Sequence, residues 1–351
     1  MARETATSMD VARHAGVSQS AVSRVFTPGA SVSRAMADRV RASAAELGYR
    51  PNVLARSMIT GKSRLIGLVV AYLDNQFYPE ILETLSTRLQ AQGYHVLVFM
   101  AQQTAGNIDP VLQEILDYQV DGIVLASVAI SSSLAERCDA AGIPVVLFNR
   151  GQEDKRGQQD NRFSTITSDN FGGGRALADF LVAGGHRRIA YIAGWQGAST
   201  QRDREAGFRA GLAAHGRDLF ARGVGNFQTE VAAAAADEMF SRSTRPDAVF
   251  VANDHMAFAV MDVLRHRLGL RVPEDVSVVG FDDVQLAAWP SFDLTTVRQP
   301  SGQMVDATVA ALIDKIEGGD GAPRQVQIDA RLIVRGSARR PDVQPLAQEK
   351  E

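Results

Sequence analysis

The stretch MDVARHAGVSQSAVSRV, residues 9–25, decides how the chain begins to fold. Its valines, among them Val11 and Val22, recur at helical spacing and predict an apolar seam between two short helices. Gly16 lies between the helices and can adopt the left-handed backbone that a tight turn needs. Ser18 can then cap the second helix. The pattern predicts a helix-turn-helix, and a small helical hairpin with a solvated polar face is the alternative.

The second predicted helix presents polar side chains on the face away from this seam. A helix that enters the major groove of DNA needs donors and acceptors there to meet base edges and phosphates. The sequence places Ser18, Gln19, Ser20, Ser23 and Arg24 on or near this face. We therefore interpret it as a DNA recognition helix.

A third helix is predicted from Ser33 to Leu47, with Ser33 as its cap and Gly48 as its stop. Residues 1–62 contain nine Lys or Arg against four Asp or Glu, a net charge of +5. The whole chain carries −3, so the remainder carries −8. A basic module on an acidic body is typical of a protein that contacts the DNA backbone.

On its motifs, the chain resembles the transcription regulators of the lactose-repressor (LacI/GalR) family. This resemblance implies a homodimer that inserts two recognition helices into successive major grooves of a near-palindromic, double-stranded operator. The motifs occur in the family's order and spacing. They are DVARHAGVSQSAVSRV, ELGYRPNVLARS, IGLVV, GHRRIAYIAG, VANDHMA, VPEDVSVVGFDD and LTTVRQP.

The resemblance also assigns roles to the recognition helix. It implies that Gln19, Ser20 and Arg24 read bases and that Ser18 and Ser23 lie near phosphates. Arg24 is the strongest candidate, because a guanidinium can bind guanine O6 and N7 together.

A hinge helix is implied after the third helix, with Asn52, Arg56 and Met58 contacting DNA. The family usually inserts a leucine into the central base step at the position of Met58. Methionine is apolar and flexible, so it can serve as the wedge, although the kink angle stays open. Packing of Met58 against its own domain is the alternative.

Beyond residue 62, short apolar runs alternate with helical patterns, which is typical of βαβ units on parallel sheets. Two such sets predict two Rossmann-like lobes, and the resemblance implies a periplasmic-binding-protein-like α/β domain that follows the all-α helix-turn-helix domain. The chain is expected to cross between lobes near 164–167, 294–299 and 323–328. The implied division is a DNA-binding domain at 1–50, a hinge at 51–62, an effector-binding and dimerisation domain at 63–337 and a polar tail at 338–351. Within that domain the first lobe takes about 63–164 and 295–324, and the second about 165–294 and 325–337.

Ligands of open α/β sheets bind beyond the carboxyl ends of the strands, so the residues after each strand are candidates. Amides and carboxylates exchange hydrogen bonds with hydroxyls, Arg donates a fork, and an aromatic ring covers the apolar face of a sugar. A sugar or sugar acid is therefore the expected effector. The candidates after strands are Phe77, Tyr78, Asn149, Arg150, Arg202, Asn253, Asp254, Asp282 and Asp283.

The resemblance narrows this set. It implies that the effector touches Phe77, Asn149, Arg202, Asn253 and Asp282, and we add Tyr78 from its place after the first strand. Arg202 and Asp282 are expected to place opposite charges on either side of the ligand. For Asp254 and Asp283, capping of the next helix is the favoured alternative.

Enzyme classes find little support in the sequence. No Walker lysine follows Gly172, Gly173 and Gly174, so these glycines indicate a helix packed closely against a sheet. The six histidines show no metal-ligand spacing, and neither a metal nor a cofactor is expected. Cys138, the one cysteine, is expected to be a small packed residue.

A sugar-binding transport protein is the alternative for residues 63–340, but the N-terminus predicts a DNA reader and not a signal peptide. No apolar run is long enough to span a bilayer, so we expect a cytoplasmic protein without a membrane partner. The tail after residue 335 lacks apolar heptads, which argues against a tetramerisation helix.

Overall fold

The computed structural model describes residues 6–27, 29–50, 62–101, 109–126, 128, 132–151, 162–319 and 321–341. The chain divides into two compact units, Met1–Ser63 and Arg64–Glu351. The predicted hinge residues Asn52, Arg56 and Met58 lie outside the described residues, as does most of the polar tail.

The N-terminal unit contains three helices, α1 (Ser8–Ala15), α2 (Gln19–Val25) and α3 (Arg34–Glu46). Gly16 ends α1 with φ 65°, the left-handed backbone that the turn was predicted to need. The Ser18 hydroxyl caps α2 by accepting from the backbone N of Ala21 at 3.2 Å. Val11 and Val22 are fully buried, so the valine seam is confirmed and the unit is a helix-turn-helix.

The larger unit has two sheets, and the first is entirely parallel. Most of its strands are apolar runs of four to six residues, and helices cover both faces of the sheet, so that core residues are buried on both sides. The strand order is β11-β5-β4-β3-β1-β2. The elements are β1 (Leu65–Val70), α4 (Phe77–Ala91), β2 (His95–Met100), α5 (Asp109–Asp117), β3 (Gly122–Ala126), α6 (Ser132–Ala140), β4 (Val145–Phe148), β5 (Ser164–Ser168), α11 (Ser301–Ile316) and β11 (Gln325–Ile328).

The second sheet has the order β12-β10-β9-β8-β6-β7, and its edge strand β12 is antiparallel to β10. Its strands are β6 (Ile189–Ala193), β7 (Ala221–Val224), β8 (Ala248–Val251), β9 (Ser277–Asp282), β10 (Thr295–Arg298) and β12 (Arg331–Ile333). Its helices are α7 (Asn170–Ala183), α8 (Ser199–Ala214), α9 (Thr229–Phe240) and α10 (Asp254–Asp262), the last continued by a π-helical turn at Val263–Arg267.

Strand pairing corrects the expected lobe boundaries. Residues 164–168 and 325–328 pair with each other in the first sheet, although 165–168 and 325–328 were assigned to the second lobe. Residues 295–298 pair with β9 in the second sheet, although they were assigned to the first lobe. The crossing points therefore follow these strands, because a crossover segment completes the sheet that it is leaving.

Two of the three consecutive glycines of α7 permit close packing against other elements. A Cβ on Gly174 would lie 2.3 Å from the Arg204 carbonyl oxygen on α8, and one on Gly173 would lie 2.7 Å from the Phe281 ring. The prediction of a helix packed closely against a sheet is confirmed at Gly173, because Phe281 belongs to β9. Cys138 is fully buried, and no helix in the described part of the chain is long and apolar enough to cross a membrane.

Candidate functional site

The recognition face of α2 is open to solvent. Ser18, Gln19, Ser20, Ser23 and Arg24 are all exposed, while the opposite side of α2 packs into the three-helix core. Gln19 Nε2 donates to Ser8 Oγ at 3.0 Å, and the hydroxyls of Ser18 and Ser20 are 2.9 Å apart. The side chains that would read DNA are therefore accessible, as the sequence predicted.

A second candidate site lies between the two lobes, where the carboxyl ends of the parallel strands face each other. Its free volume is about 10 Å³. Its walls contain amides, aromatic rings, two arginines and a carboxylate. The lining residues are Tyr72, Asn75, Tyr78, Asn149 and Arg150 from the first lobe, and Thr200, Arg204, Phe227, Asn253 and Asp282 from the second.

Arg204, on α8, is the most fully engaged cation of this cavity. It is 3% exposed, and its Nη2 lies 3.4 Å from Asp282 Oδ1. Its Nε donates to Asn170 Oδ1 at 2.8 Å and its Nη1 to the Ala252 carbonyl at 2.6 Å. The guanidinium lies 3.8 Å from the centre of the Phe281 ring. The cation is thus held rigidly, as a preorganised donor must be.

Asp282 ends β9 and is 4% exposed. Its oxygens accept from Asn75 Nδ2 at 3.1 Å and from Gln299 Nε2 at 2.7 Å. Burial raises the pKa of Asp282, while the Arg204 cation and these hydrogen bonds oppose the shift. The carboxylate therefore connects the first lobe, a crossover segment and α8.

Asp254 lies behind Asp282 and is completely buried. It accepts from Thr296 Oγ1 at 2.6 Å and from the Val284 backbone N at 3.1 Å. Burial, together with the neighbouring Asp282 carboxylate, raises the pKa of Asp254 to about 8. This shift favours the protonated form of Asp254. The cap of α10 is Asn253, whose Oδ1 accepts from the Met256 backbone N.

Two amides on opposite sides of the cavity each retain one buried polar atom with no partner among the described residues. They are Oδ1 of Asn149, an acceptor, and Nδ2 of Asn253, a donor. The backbone φ is 54° at Asn149 and 130° at Asp282, and residues other than glycine rarely adopt such values. Such strain concentrates at ligand-binding sites.

The lobes are joined by direct hydrogen bonds beside the cavity. Arg150 Nη1 donates to Thr200 Oγ1 at 2.8 Å, and the Gly151 backbone N donates to Ser199 Oγ at 2.8 Å. Burial lowers the pKa of Arg150. These contacts hold the N-terminal end of α8 against the end of β4.

Four predicted effector residues line the cavity: Tyr78, Asn149, Asn253 and Asp282. Phe77 does not. Its ring is in the first-lobe core, 6.4 Å from that of Phe148, because α4 begins at Phe77 and turns this side chain inward.

Arg202 also lies outside the cavity lining, which corrects the sequence prediction. Its Nη1 donates to the carbonyls of Gln196 and Gly197, and the second-lobe arginine that lines the cavity is Arg204. Arg202 and Asp282 both belong to the second lobe, so they do not place opposite charges across the cleft between the lobes. Arg202 and Arg204 are two residues apart on α8, and this spacing rotates one side chain by about 200° about the helix axis relative to the other. The two side chains therefore leave the helix on different sides.

Some cavity residues were not among the sequence candidates: Tyr72, Asn75, Thr200, Arg204 and Phe227. Arg150 was a candidate because it follows a strand, but no effector contact was predicted for it. A signal for two of them was present. Thr200, Arg204 and Phe208 recur at i, i+4 and i+8, the spacing of a buried helix face. Arg202 does not fall on that face.

Comparison with known proteins places these sites in a family. Residues 7–52 match the family model described as bacterial regulatory proteins, lacI family. Residues 178–338 match the model of a periplasmic binding protein-like domain. The HTH-type transcriptional regulator CelR of Thermobifida fusca is 35% identical over 335 residues, which cover 93% of this chain and 96% of the relative.

Solved structures agree over nearly the whole chain. A Lac repressor dimer bound to operator and the anti-inducer ONPF matches with a TM-score of 0.82 and 27% identity, covering 95% of this chain and 99% of that one. A complex of the transcriptional regulator CelR with cellobiose matches with a TM-score of 0.70 and 33% identity, covering 95% and 100%. The chain therefore belongs to the LacI family and is a ligand-responsive transcription regulator with a helix-turn-helix DNA-binding domain.

Proposed function

We propose that this regulator binds a near-palindromic operator as a homodimer, with an affinity set by a small polyhydroxylated effector held between the lobes. The observation that carries the effector class is the set of polar atoms in the cavity. Asn149 offers an unpartnered acceptor and Asn253 an unpartnered donor, beside the Asp282 carboxylate. A hydroxyl both donates and accepts, so a ring with several hydroxyls satisfies such a set.

The aromatic lining supports a sugar or a sugar acid in particular. Tyr72, Tyr78 and Phe227 contribute rings to the walls, and such rings cover the apolar face of a sugar. The N–H groups of Arg204 that its contacts within the protein leave over can donate to a hydroxyl or to a carboxylate. CelR, with which this chain shares its fold, is known in complex with cellobiose.

The DNA-binding part of the proposal rests on the exposed face of α2. Gln19, Ser20 and Arg24 read base edges, and Ser18 and Ser23 lie near phosphates. Asn52, Arg56 and Met58 are proposed to contact the operator from the hinge. Two such helices on a dimer would read two half-sites about one helical turn apart.

Dimerisation is supported by the edge of the first sheet. Strand β2 is an edge strand, and Val98 and Met100 lie on the same side of it, 43% and 50% exposed. Tyr118, 51% exposed, packs against the neighbouring Phe99 ring. An exposed apolar edge of this kind favours association with a second copy.

A thermal-shift screen of sugars, sugar acids and sugar phosphates tests the effector class. A ligand that binds in the cavity raises the melting temperature with its concentration, and Asp282→Ala removes the shift. If no compound of these classes stabilises the wild type, the proposed effector class is wrong.

The same screen separates a regulator from its rivals. We infer that the effector is released unchanged, which chromatography of the sugar after incubation checks, whereas an enzyme would convert it. A transport-type binding protein would bind the sugar without any change in DNA affinity. As a regulator of operator DNA, the protein would act in the cytoplasm.

A further inference from the structure

A closed ring of hydrogen bonds joins the cavity to two of the crossings, the segments in which the chain passes from one lobe to the other. The first crossing follows β5, the second follows β10 and the third follows β11. The ring has five members, each no more than 4% exposed: Ser168 at the first crossing, Asn170 at the start of α7, Arg204 on α8, Asp282 at the end of β9 and Gln299 at the second crossing. Of these five, Arg204 and Asp282 line the cavity.

The hydrogen bonds of the ring run in one direction, from donor to acceptor. Arg204 Nε donates to Asn170 Oδ1 at 2.8 Å, and Asn170 Nδ2 donates to the Ser168 carbonyl at 2.8 Å. Ser168 Oγ donates to Gln299 Oε1 at 2.7 Å, and Gln299 Nε2 donates to Asp282 Oδ1 at 2.7 Å. Arg204 Nη2 closes the ring, 3.4 Å from the same carboxylate oxygen. Because an arginine only donates and an ionised carboxylate only accepts, these two residues fix the order of all the partners.

Gln299 is the member that connects the cavity carboxylate to the first crossing. Its amide nitrogen donates to Asp282, which leaves its amide oxygen to accept from the Ser168 hydroxyl. Its backbone N donates to the Asp282 carbonyl at 3.3 Å, and its carbonyl accepts from the Ser301 backbone N, at the start of α11, at 2.8 Å. A buried polar atom that loses its partner is costly, so a shift of the Asp282 carboxylate is passed on through Gln299.

We propose that Gln299 is a coupling residue: it ties the Asp282 carboxylate to the first crossing at Ser168, so that an effector bound to Asp282 changes how the crossings are held and thereby the affinity for operator DNA. The inference rests on the proposed function, since it takes the cavity as the effector site and operator affinity as the response. Gln299 is not part of the cavity lining and acts through Asp282. Its signature is therefore a change in the coupling between the two binding sites.

Hydrogen exchange tests the link without any ligand. The Asp169 backbone N, next to Ser168, donates to the Ile328 carbonyl at 2.8 Å, so this amide reports how the first and third crossings are held together. Gln299→Met keeps the length of the side chain and removes its amide. In the full chain of this variant we expect the Asp169 amide to exchange about fivefold faster, the size of one net hydrogen bond.

A second amide and a second variant serve as controls. The Ala101 amide donates to the Val70 carbonyl on the opposite side of the first sheet, and its exchange should stay at the wild-type rate. Thr296→Val is the matched variant, because Thr296 lies on β10 and its hydroxyl donates to Asp254, outside the ring. This variant also loses one buried hydrogen bond, but exchange of the Asp169 amide should stay within about twofold of wild type.

Ser168→Ala breaks the same link at its other end, so it should accelerate exchange of the Asp169 amide as Gln299→Met does. It also answers the question if Gln299→Met does not fold. Wild-type exchange at Asp169 in Ser168→Ala and Gln299→Met would overturn the proposal. Equal acceleration in Thr296→Val would overturn it as well, since it would indicate general loosening of the crossings.

Calorimetry measures the coupling itself. Cellobiose, D-glucose and D-ribose are each titrated into the free protein and into the protein saturated with a DNA duplex that the wild type selects from random sequences. The ratio of the two dissociation constants is the coupling between the sites, and the same ratio must appear when the DNA is titrated with and without the sugar. We expect Gln299→Met to bring this ratio about fivefold closer to one, while Thr296→Val keeps it within about twofold of wild type. An unchanged ratio in Gln299→Met would contradict the proposal.

Failure of the proposed function and failure of the coupling are distinguishable. If none of the three sugars binds the wild type, or if each binds the free and the DNA-bound protein equally, the proposed function is in question. Exchange of the Asp169 amide then still decides whether Gln299 ties the cavity to the first crossing. If the wild type shows coupling and Gln299→Met retains it in full, the proposed function stands and the role of Gln299 is wrong.

Discussion

The recognition helix and the cavity hold their functional side chains in opposite ways. On α2 they come from one short segment and are exposed, so they bind a partner without rearrangement of the unit. In the cavity they come from both lobes, are mostly buried and bind one another, as Arg204, Asp282 and Asn75 do. A substitution on α2 should therefore alter binding alone, whereas one in the cavity should alter binding and stability together.

Arg204→Ala is the strongest test of this difference. Removing the guanidinium leaves the buried Asp282 without its cation, and breaking a buried pair costs about 3–5 kcal/mol. We expect chemical denaturation to show a loss of this size, together with loss of the sugar-dependent thermal shift.

Arg202→Ala is the matched control, because Arg202 is on the same helix and donates to the carbonyls of the exposed residues Gln196 and Gly197. Its unfolding free energy should fall by less than 1 kcal/mol. Arg204→Lys keeps the charge without the fork, and it addresses the case in which Arg204→Ala does not fold. Equal losses for Arg202→Ala and Arg204→Ala would refute the buried network.

The same contrast explains how much could be predicted from sequence. The helix-turn-helix was predictable to its caps, since Gly16 and Ser18 act on neighbours within a few residues. Parallel strands were predictable from their apolar runs. Which sheet a strand joins where the chain crosses between lobes could not be predicted, because that depends on pairing with residues far away in the sequence. In the cavity, the rule of looking after strands found Asn149 and Asp282.

That rule could not find residues brought in by helices. Arg204 comes from the second turn of α8 and reaches the cavity because Gly174 and Gly207 let α7 and α8 approach closely. Phe77 follows a strand as the rule requires, but α4 begins at this residue and its ring points into the core of the first lobe. Residue type and position after a strand do not determine the direction of a side chain, which local helix geometry sets.

Arg24→Ala tests the exposed half of the comparison. Loss of a bidentate contact with guanine should weaken operator binding by about 1–3 kcal/mol and relax preference at one base pair in each half-site. Because Arg24 is exposed, the unfolding free energy and the sugar affinity should stay at wild-type values. Selection from random DNA measures the preference. Identical base preferences for variant and wild type would show that Arg24 does not read bases.

Asp254 should make the stability of the larger unit depend on pH. Its pKa is about 8 when folded and near 4 when unfolded, so the folded state binds the extra proton between these values. Stability should therefore be highest on the acidic side and fall as pH rises from about 4 to 8, by at most about 1.4 kcal/mol per pH unit. Carboxyls with a lowered pKa, such as Asp247 at about 2, act in a separate window below about pH 4.

Asp254→Asn isolates this contribution. The amide imitates the protonated acid, since its oxygen can accept from the Val284 N and its nitrogen can donate to the Thr296 hydroxyl. Denaturation of both proteins from pH 5 to pH 8 should show a flatter profile for the variant. A slope equal to that of the wild type would mean that Asp254 is ionised in the folded state.

Ser18→Ala should have the smallest effect, and it separates folding from reading on α2. The hydroxyl caps the helix through the Ala21 amide, so its loss should cost the N-terminal unit about 1 kcal/mol. Hydrogen exchange of the α2 amides in the full chain measures this, with Ser23→Ala as the control because Ser23 is exposed and lies beyond the cap. The Gly151 amide, which donates to Ser199, serves as the reporter of the larger unit. Faster exchange of the α2 amides in Ser18→Ala alone, with unchanged exchange of the Gly151 amide in both variants, would show that the two units respond independently. Equal exchange in the two serine variants would show that the Ser18 cap contributes nothing measurable to the stability of α2.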